Sequence, residues 1–172
     1  MDQLTEIMEK ATAAIEARFM QLPIYKSSPK YRERVYCYEL YHQMRSRWPN
    51  PCAYTLNGEV DKRGHETLQA LEADNTIPDL LVHIPGNWDG NHAIIEVKHA
   101  DAQHGGIAKD LRTLDVFLKR VDYERAIYLF YGGLPETLIK AIAAEMPDIA
   151  PIEVWLHPEP GQPARKAFTL PG

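Results

Sequence analysis

Two short segments, Ile77-Pro78-Asp79-Leu80 and Ile94-Ile95-Glu96-Val97-Lys98, hold the residue types best suited to chemistry. Asp79 opens one apolar run and Glu96-Val97-Lys98 closes another, with sixteen residues between the two carboxylates. Pro85-Gly86-Asn87-Trp88-Asp89-Gly90-Asn91 supplies a turn in the gap. Two strands joined as a hairpin bring the start of the first beside the end of the second. Asp79 then meets Glu96. Lys98 joins them because side chains two apart on a strand share a face. Two carboxylates and an ammonium on one patch are costly to hold together unless something binds there, and a divalent cation is the simplest counter-charge.

The elements that must position these groups can be read from periodicity. Residues 3–20 repeat apolar side chains (Leu4, Ile7, Met8, Ala11, Ile15, Phe19) at helical steps, and Pro23 with Ser27-Ser28-Pro29 breaks the pattern. A second helix is expected over 31–48, stopped by Pro49-Asn50-Pro51. Short strands at 52–56 and 59–62 flank Asn57-Gly58, a dipeptide that favours a tight hairpin turn. A helical or irregular stretch at 67–73 precedes the motif strands, expected at 79–84 and 92–98. Gly105-Gly106 leads into a helix over 107–120. Ala126–Tyr131 is a continuous apolar run, the mark of a central buried strand. A helix over 134–146, a strand at 152–156, a proline-rich loop and an edge strand at 167–170 complete the chain.

The bulk numbers narrow the class. With 172 residues, 45% hydrophobic and 25% charged, the chain can bury one core and is expected to form a single domain over 1–172. Cys37 and Cys52 have no metal-ligand spacing and do not suggest a disulfide scaffold. No apolar run reaches a membrane span and the first residues carry no secretion pattern, so a cytoplasmic protein is expected. The net charge of −5 disfavours a general nucleic-acid coat protein. The distribution is uneven, however: from Lys26 to Arg63, eight basic residues face four acidic ones, a local +4 that leaves −9 for the remainder. Such a basic segment is either a solvated face or a nucleic-acid surface.

Pro78-Asp79 followed by Glu96-Val97-Lys98 resembles the PD-(D/E)XK nuclease superfamily. The resemblance covers residues 31–131 and implies a restriction-endonuclease-like α/β fold: an αβββαβ core with a mixed central sheet flanked by helices. The helix at 3–20 and the helix-strand segment 134–170 are additions to that core. It further implies a metal-dependent endonuclease that hydrolyses DNA phosphodiesters, with Mg²⁺ or Mn²⁺ held by Asp79, Glu96 and the Val97 carbonyl. Lys98 would stabilise charge on the phosphate or orient the attacking water.

The family often adds a helix glutamate, and Glu39 is the residue that answers to it here. Glu39, His42, Gln43 and Ser46 form a polar stripe opposite Cys37, Leu40, Tyr41, Met44 and Trp48, and that stripe faces either solvent or the cleft. Lys30, Arg32, Arg34, Gln43, Arg45, Lys62, Arg63 and Lys109 are the nucleic-acid-contact candidates. Glu59 reads more simply as a strand or turn residue than as a site carboxylate. His99 and His104 lack the third ligand of a zinc site. Gly105-Gly106 is either a phosphate-admitting helix start or a flexible entry. The helix that follows lacks the glutamine and tyrosine of some exonuclease branches. Two further readings stand beside a DNA endonuclease: a catalytically silent binding or assembly subunit of the same fold, and an RNA nuclease. Small size favours a homodimer or a partner protein for recognition.

Overall fold

In the computed structural model, which describes residues 1, 3–59 and 77–171, thirteen helices and strands can be followed in chain order. They are α1 (Leu4–Ala13), α2 (Ala17–Met20), β1 (Gln21–Ile24), β2 (Ser27–Tyr31), α3 (Glu33–Arg45), β3 (Thr55–Gly58), β4 (Leu80–His83), β5 (Asn91–His99), α4 (His104–Arg120), β6 (Arg125–Tyr131), α5 (Glu136–Ala144), β7 (Ile152–His157) and β8 (Arg165–Leu170). Strands β3 to β8 form one six-stranded sheet in sequence order. The β3–β4, β4–β5 and β7–β8 pairs are antiparallel, while β5–β6 and β6–β7 are parallel. The molecule is therefore an α/β protein with a mixed sheet flanked by helices.

Strand β6 lies between two parallel neighbours and is covered on both faces, which is why its sequence lacks alternation. Ile94, Tyr128, Phe130 and Val154 pack against Ile107, Leu111, Leu114 and Phe117 of α4 and Ile139 and Ile142 of α5. On the other face, Ala93, Ile95, Val97, Ile127 and Leu129 meet Leu4 and Met8 of α1 and Tyr36, Leu40 and Met44 of α3. The C-terminal segment is built into the sheet through β7 and β8, with Trp155 fully within the core. Among the described residues, no helix is long and apolar enough to cross a membrane.

Two local expectations are corrected. The helix expected over 3–20 ends at Ala13, restarts for one turn at Ala17, and gives way to a two-stranded ribbon, β1–β2. Pro23 and Ser27-Ser28-Pro29 lie in that ribbon and do not merely break a helix. Asn57-Gly58 is not a turn: Asn57 pairs with Leu81 and Gly58 with Leu80, inside β3. Pairing with the apolar strand β4 buries Leu56, a gain that an isolated hairpin with two short arms does not offer. The expected second arm beyond Glu59 and the stretch 67–73 lie outside the described residues. Both cysteines are free thiols.

The core's tightness gives a direct check. Ile127 is completely buried at the centre of the sheet. Ile127→Ala is expected to lower unfolding free energy by about 2–5 kcal/mol in a urea titration; a loss below about 1 kcal/mol would place β6 away from the core.

Candidate active site

Asp79 stands one residue ahead of β4. The register sets Leu80 opposite Ile95 and Leu81 opposite Ile94, so the next step outward sets Asp79 across from Glu96. The Asp79 carboxylate accepts a hydrogen bond from the Val97 amide at 2.8 Å, which fixes it at the open end of the β4–β5 pair. The Val97 carbonyl leaves the strand on the same side as that amide, toward Asp79. Glu96 and Lys98 continue the face begun by Ile94, the face covered by α4.

Lys98 is held from two helices. Its Nζ lies 2.8 Å from Glu33 Oε2, in the first turn of α3, and 2.8 Å from Asp110 Oδ2 on α4. The buried Tyr128 hydroxyl donates to the same Asp110 oxygen at 2.9 Å. Asp79, Glu96, Lys98, Glu33 and Asp110 line an open cleft of about 250 Å³ that Arg34, Glu59, Ile77 and Lys109 complete. Five carboxylates thus face three cations. The imbalance is concentrated at one point, because Lys98 is already committed to Glu33 and Asp110, and Arg34 to Glu59 at 3.1 Å. Among the described residues, Asp79 and Glu96 have no hydrogen-bonded cation.

Proton affinities follow this arrangement. Burial pushes the Asp79 carboxyl up to about 6, against the pull of the Val97 amide and the Lys98 charge. Glu96, 7% exposed, is raised well above the carboxylate range, first by burial and then by the charges of Asp79 and Asp110. For Lys98, burial works against the ammonium, but hydrogen bonds to Asp110 and Glu33 outweigh it and hold the group above its ordinary value. Lys98 is therefore a fixed cation across the physiological range. Tyr128 is likewise raised, chiefly by burial and then by Asp110, and remains a donor.

Among the described residues, no three Asp, Glu, His or Cys side chains converge as a ready-made metal cage. The pair still fits a hard divalent cation, since Mg²⁺ is commonly held by one or two carboxylates and fills its shell with water and phosphate oxygen. Asp79, Glu96 and the Val97 carbonyl are the groups placed to hold it. Such a cation would displace the proton that the pair otherwise retains.

The other candidates fall in varied places. Glu39 does not join the cleft: it accepts from Gln43 at 2.7 Å, and Gln43 in turn accepts from Arg47 at 2.6 Å, a chain along the outer side of α3. The helix carboxylate at the cleft is instead Glu33, with Asp110 from α4 as a second. Glu33 lies four residues before Cys37, on the buried stripe of α3, and Asp110 lies between Ile107 and Leu111 on the buried stripe of α4. A charged residue on an apolar stripe is the signal that marks them, the same one that marked Glu96. Glu59, expected to be an ordinary residue, lines the cleft. Lys30, Arg32 and Arg45 are exposed, Lys109 borders the cleft, and Lys62 and Arg63 lie outside the described residues. His99 points away from Lys98 and stacks on Tyr31, while His104 pairs with Glu145 at 3.1 Å, so the two histidines do not meet.

Searches of known protein families, of characterised proteins and of solved structures return no significant match to this chain.

The raised Asp79 value has a signed consequence. Its folded-state value of about 6 exceeds the unfolded value of about 3.9, so its contribution is fully present below pH ~4 and is lost as pH rises toward 6. Asp79→Asn keeps an acceptor for the Val97 amide without the charge. In chelator-containing buffer the variant is expected to be more stable than wild type at pH 8, on the order of 1–3 kcal/mol, and to lose that advantage at pH 4. Thermal melts at both pH values check this; an advantage equal at both, or absent at pH 8, would remove the uncompensated pair.

Proposed function

We propose that this chain is a metal-dependent nuclease of the PD-(D/E)XK type, acting on DNA phosphodiesters with Mg²⁺ or Mn²⁺. The observation that carries the reading is the placement of Asp79 across from Glu96, with Lys98 one step further along the same strand face. The run α3, β3, β4, β5, α4, β6 supports a restriction-endonuclease-like core, because it has the αβββαβ order with antiparallel motif strands and a parallel return.

Each residue has a task that follows from its surroundings. Asp79, half-buried, and Glu96, buried, form an anionic pair whose ionised state a divalent cation would favour over a shared proton. When bound, that cation relieves phosphate charge and acidifies a water for attack. Lys98 cannot serve as a base, because its proton is held by two carboxylate hydrogen bonds. Its role is that of a cation aimed at the negative charge that grows on the phosphate, or at the water beside it. Glu33 and Asp110 keep its ammonium pointed into the cleft. Lys109 and Arg34 at the rim are suited to flanking phosphates.

One observation favours a second reading. Lys98 is so fully satisfied by Glu33 and Asp110 that the cluster also fits a silent module in which it is a structural ion network. An assay of supercoiled plasmid, linear duplex, single-stranded DNA and RNA with Mg²⁺, Mn²⁺ or EDTA separates the two. Metal-dependent cutting of DNA that falls about 100-fold or more in Lys98→Ala is expected. No cutting under any metal contradicts the nuclease reading and leaves the silent module, whereas cutting undiminished in the variant contradicts the role given to Lys98.

A further inference from the structure

The ribbon β1–β2 takes no part in the central sheet. From Ala17 to Arg32 the chain holds Arg18, Lys26, Lys30 and Arg32 and no acidic residue. Tyr25 at the tip is 86% exposed, and Lys26 beside it holds its ammonium 5.2 Å from the Tyr25 ring centre. Lys30 and Arg32 are exposed, and among the described residues neither meets a carboxylate. A two-stranded ribbon is marginally stable by itself, so one this polar needs an anchor.

The anchor is Tyr31, and it ties the ribbon to the cleft. Its ring stacks on His99 with centres 5.5 Å apart and planes 4° from parallel, and its hydroxyl donates to the Gly132 carbonyl at 3.1 Å. Gly132 has φ +79°, and a Cβ there would come within 2.5 Å of the Tyr31 ring, so the seat requires glycine. His99 follows Lys98 directly, and Glu33 lies two residues after Tyr31. The base of the ribbon is thus fixed against the strand and helix that carry the site.

The edges of the ribbon disfavour a protein strand as its partner. Pro23 and Pro29 sit on opposite arms, each one residue beyond the Leu22–Lys30 pair, and each removes an amide that an added strand would need. Its size and charge match another partner. Arms of four and five residues reach about 14–17 Å, and the major groove of B-form DNA, about 12 Å wide, admits a two-stranded ribbon.

We infer that β1–β2 is a duplex-DNA finger that enters the major groove beside the cleft, with Lys26, Lys30 and Arg32 on phosphates and Tyr25 at the tip. This rests on the nuclease reading for its biological sense, but its test does not. The A-form groove of duplex RNA is too narrow for such an element, and an unpaired strand calls for a platform of several aromatic rings.

Fluorescence anisotropy in EDTA, across a salt series, measures binding of the full chain to duplex DNA, to single-stranded DNA of the same sequence and to duplex RNA. Wild type is expected to bind duplex DNA most tightly. Lys26→Gln with Lys30→Gln should weaken that binding at least about tenfold and lower the salt slope by about 2, at roughly 0.9 for each lost phosphate contact. Lys26→Arg with Lys30→Arg should restore both. The finger is overturned if the glutamine variant keeps the wild-type slope and affinity, or if single strands or duplex RNA bind as well as duplex DNA. Plasmid cutting with an unchanged slope removes the finger alone. A lowered slope without cutting under any metal supports the finger and removes the nuclease reading alone.

Discussion

Asp79 and Glu96 meet at the open end of an antiparallel strand pair, where Glu96 is buried and, among the described residues, no cation is hydrogen-bonded to either. Two ionised carboxylates so placed repel each other in a medium far less polarisable than water. Only a proton or a bound cation relieves the repulsion, and the raised proton affinities of both groups express it. Among the described residues no side chain supplies that cation, although Lys98 is within the same cleft. Glu33 and Asp110 take both of its short contacts, and Tyr128 fixes Asp110 from behind.

The fold makes this arrangement hard to avoid. Strand β5 is buried along its first seven residues and pinned between β4 and β6, so Glu96 cannot turn outward without losing its pairing. Strand β4 stops short of β5, and the Val97 amide that β4 leaves unpaired is taken by Asp79. α3 and α4 approach from opposite faces of the sheet and deliver Glu33 and Asp110 to the same ammonium. A polar cluster assembled from two helices and two strands in this way is rigid only while every member is satisfied.

The sequence made much of this legible, for identifiable reasons. Strand alternation placed Glu96 and Lys98 with Ile94, and the hairpin argument brought Asp79 to them, because both depend on local pattern alone. The central strand at Ala126–Tyr131 was equally plain from its unbroken apolar run. Glu39 stands on the polar stripe of its helix, whereas the cleft is reached from the buried stripe, where Glu33 stands, and helical periodicity alone does not say which stripe turns to the cleft. Asp110 is masked in the sequence by the apolar side chains Ile107, Leu111 and Leu114, which dominate the pattern of its helix. Asn57-Gly58 has strong turn chemistry, yet the long-range gain of pairing with β4 overrode it, and no local rule reports a partner more than twenty residues away. The β1–β2 ribbon was hidden by its two prolines, which read as breakers although an isolated ribbon tolerates them at its edges.

On these grounds the Asp79–Glu96 pair is a cation site that otherwise holds a proton. Calorimetric titration with Mn²⁺ near neutral pH, repeated in buffers of different ionisation enthalpy, measures binding and proton release together. One bound ion, displacement of close to one proton, and loss of both in Asp79→Asn and in Glu96→Gln is the expected result. Absence of binding to the wild type, or binding unchanged in both variants, would contradict it.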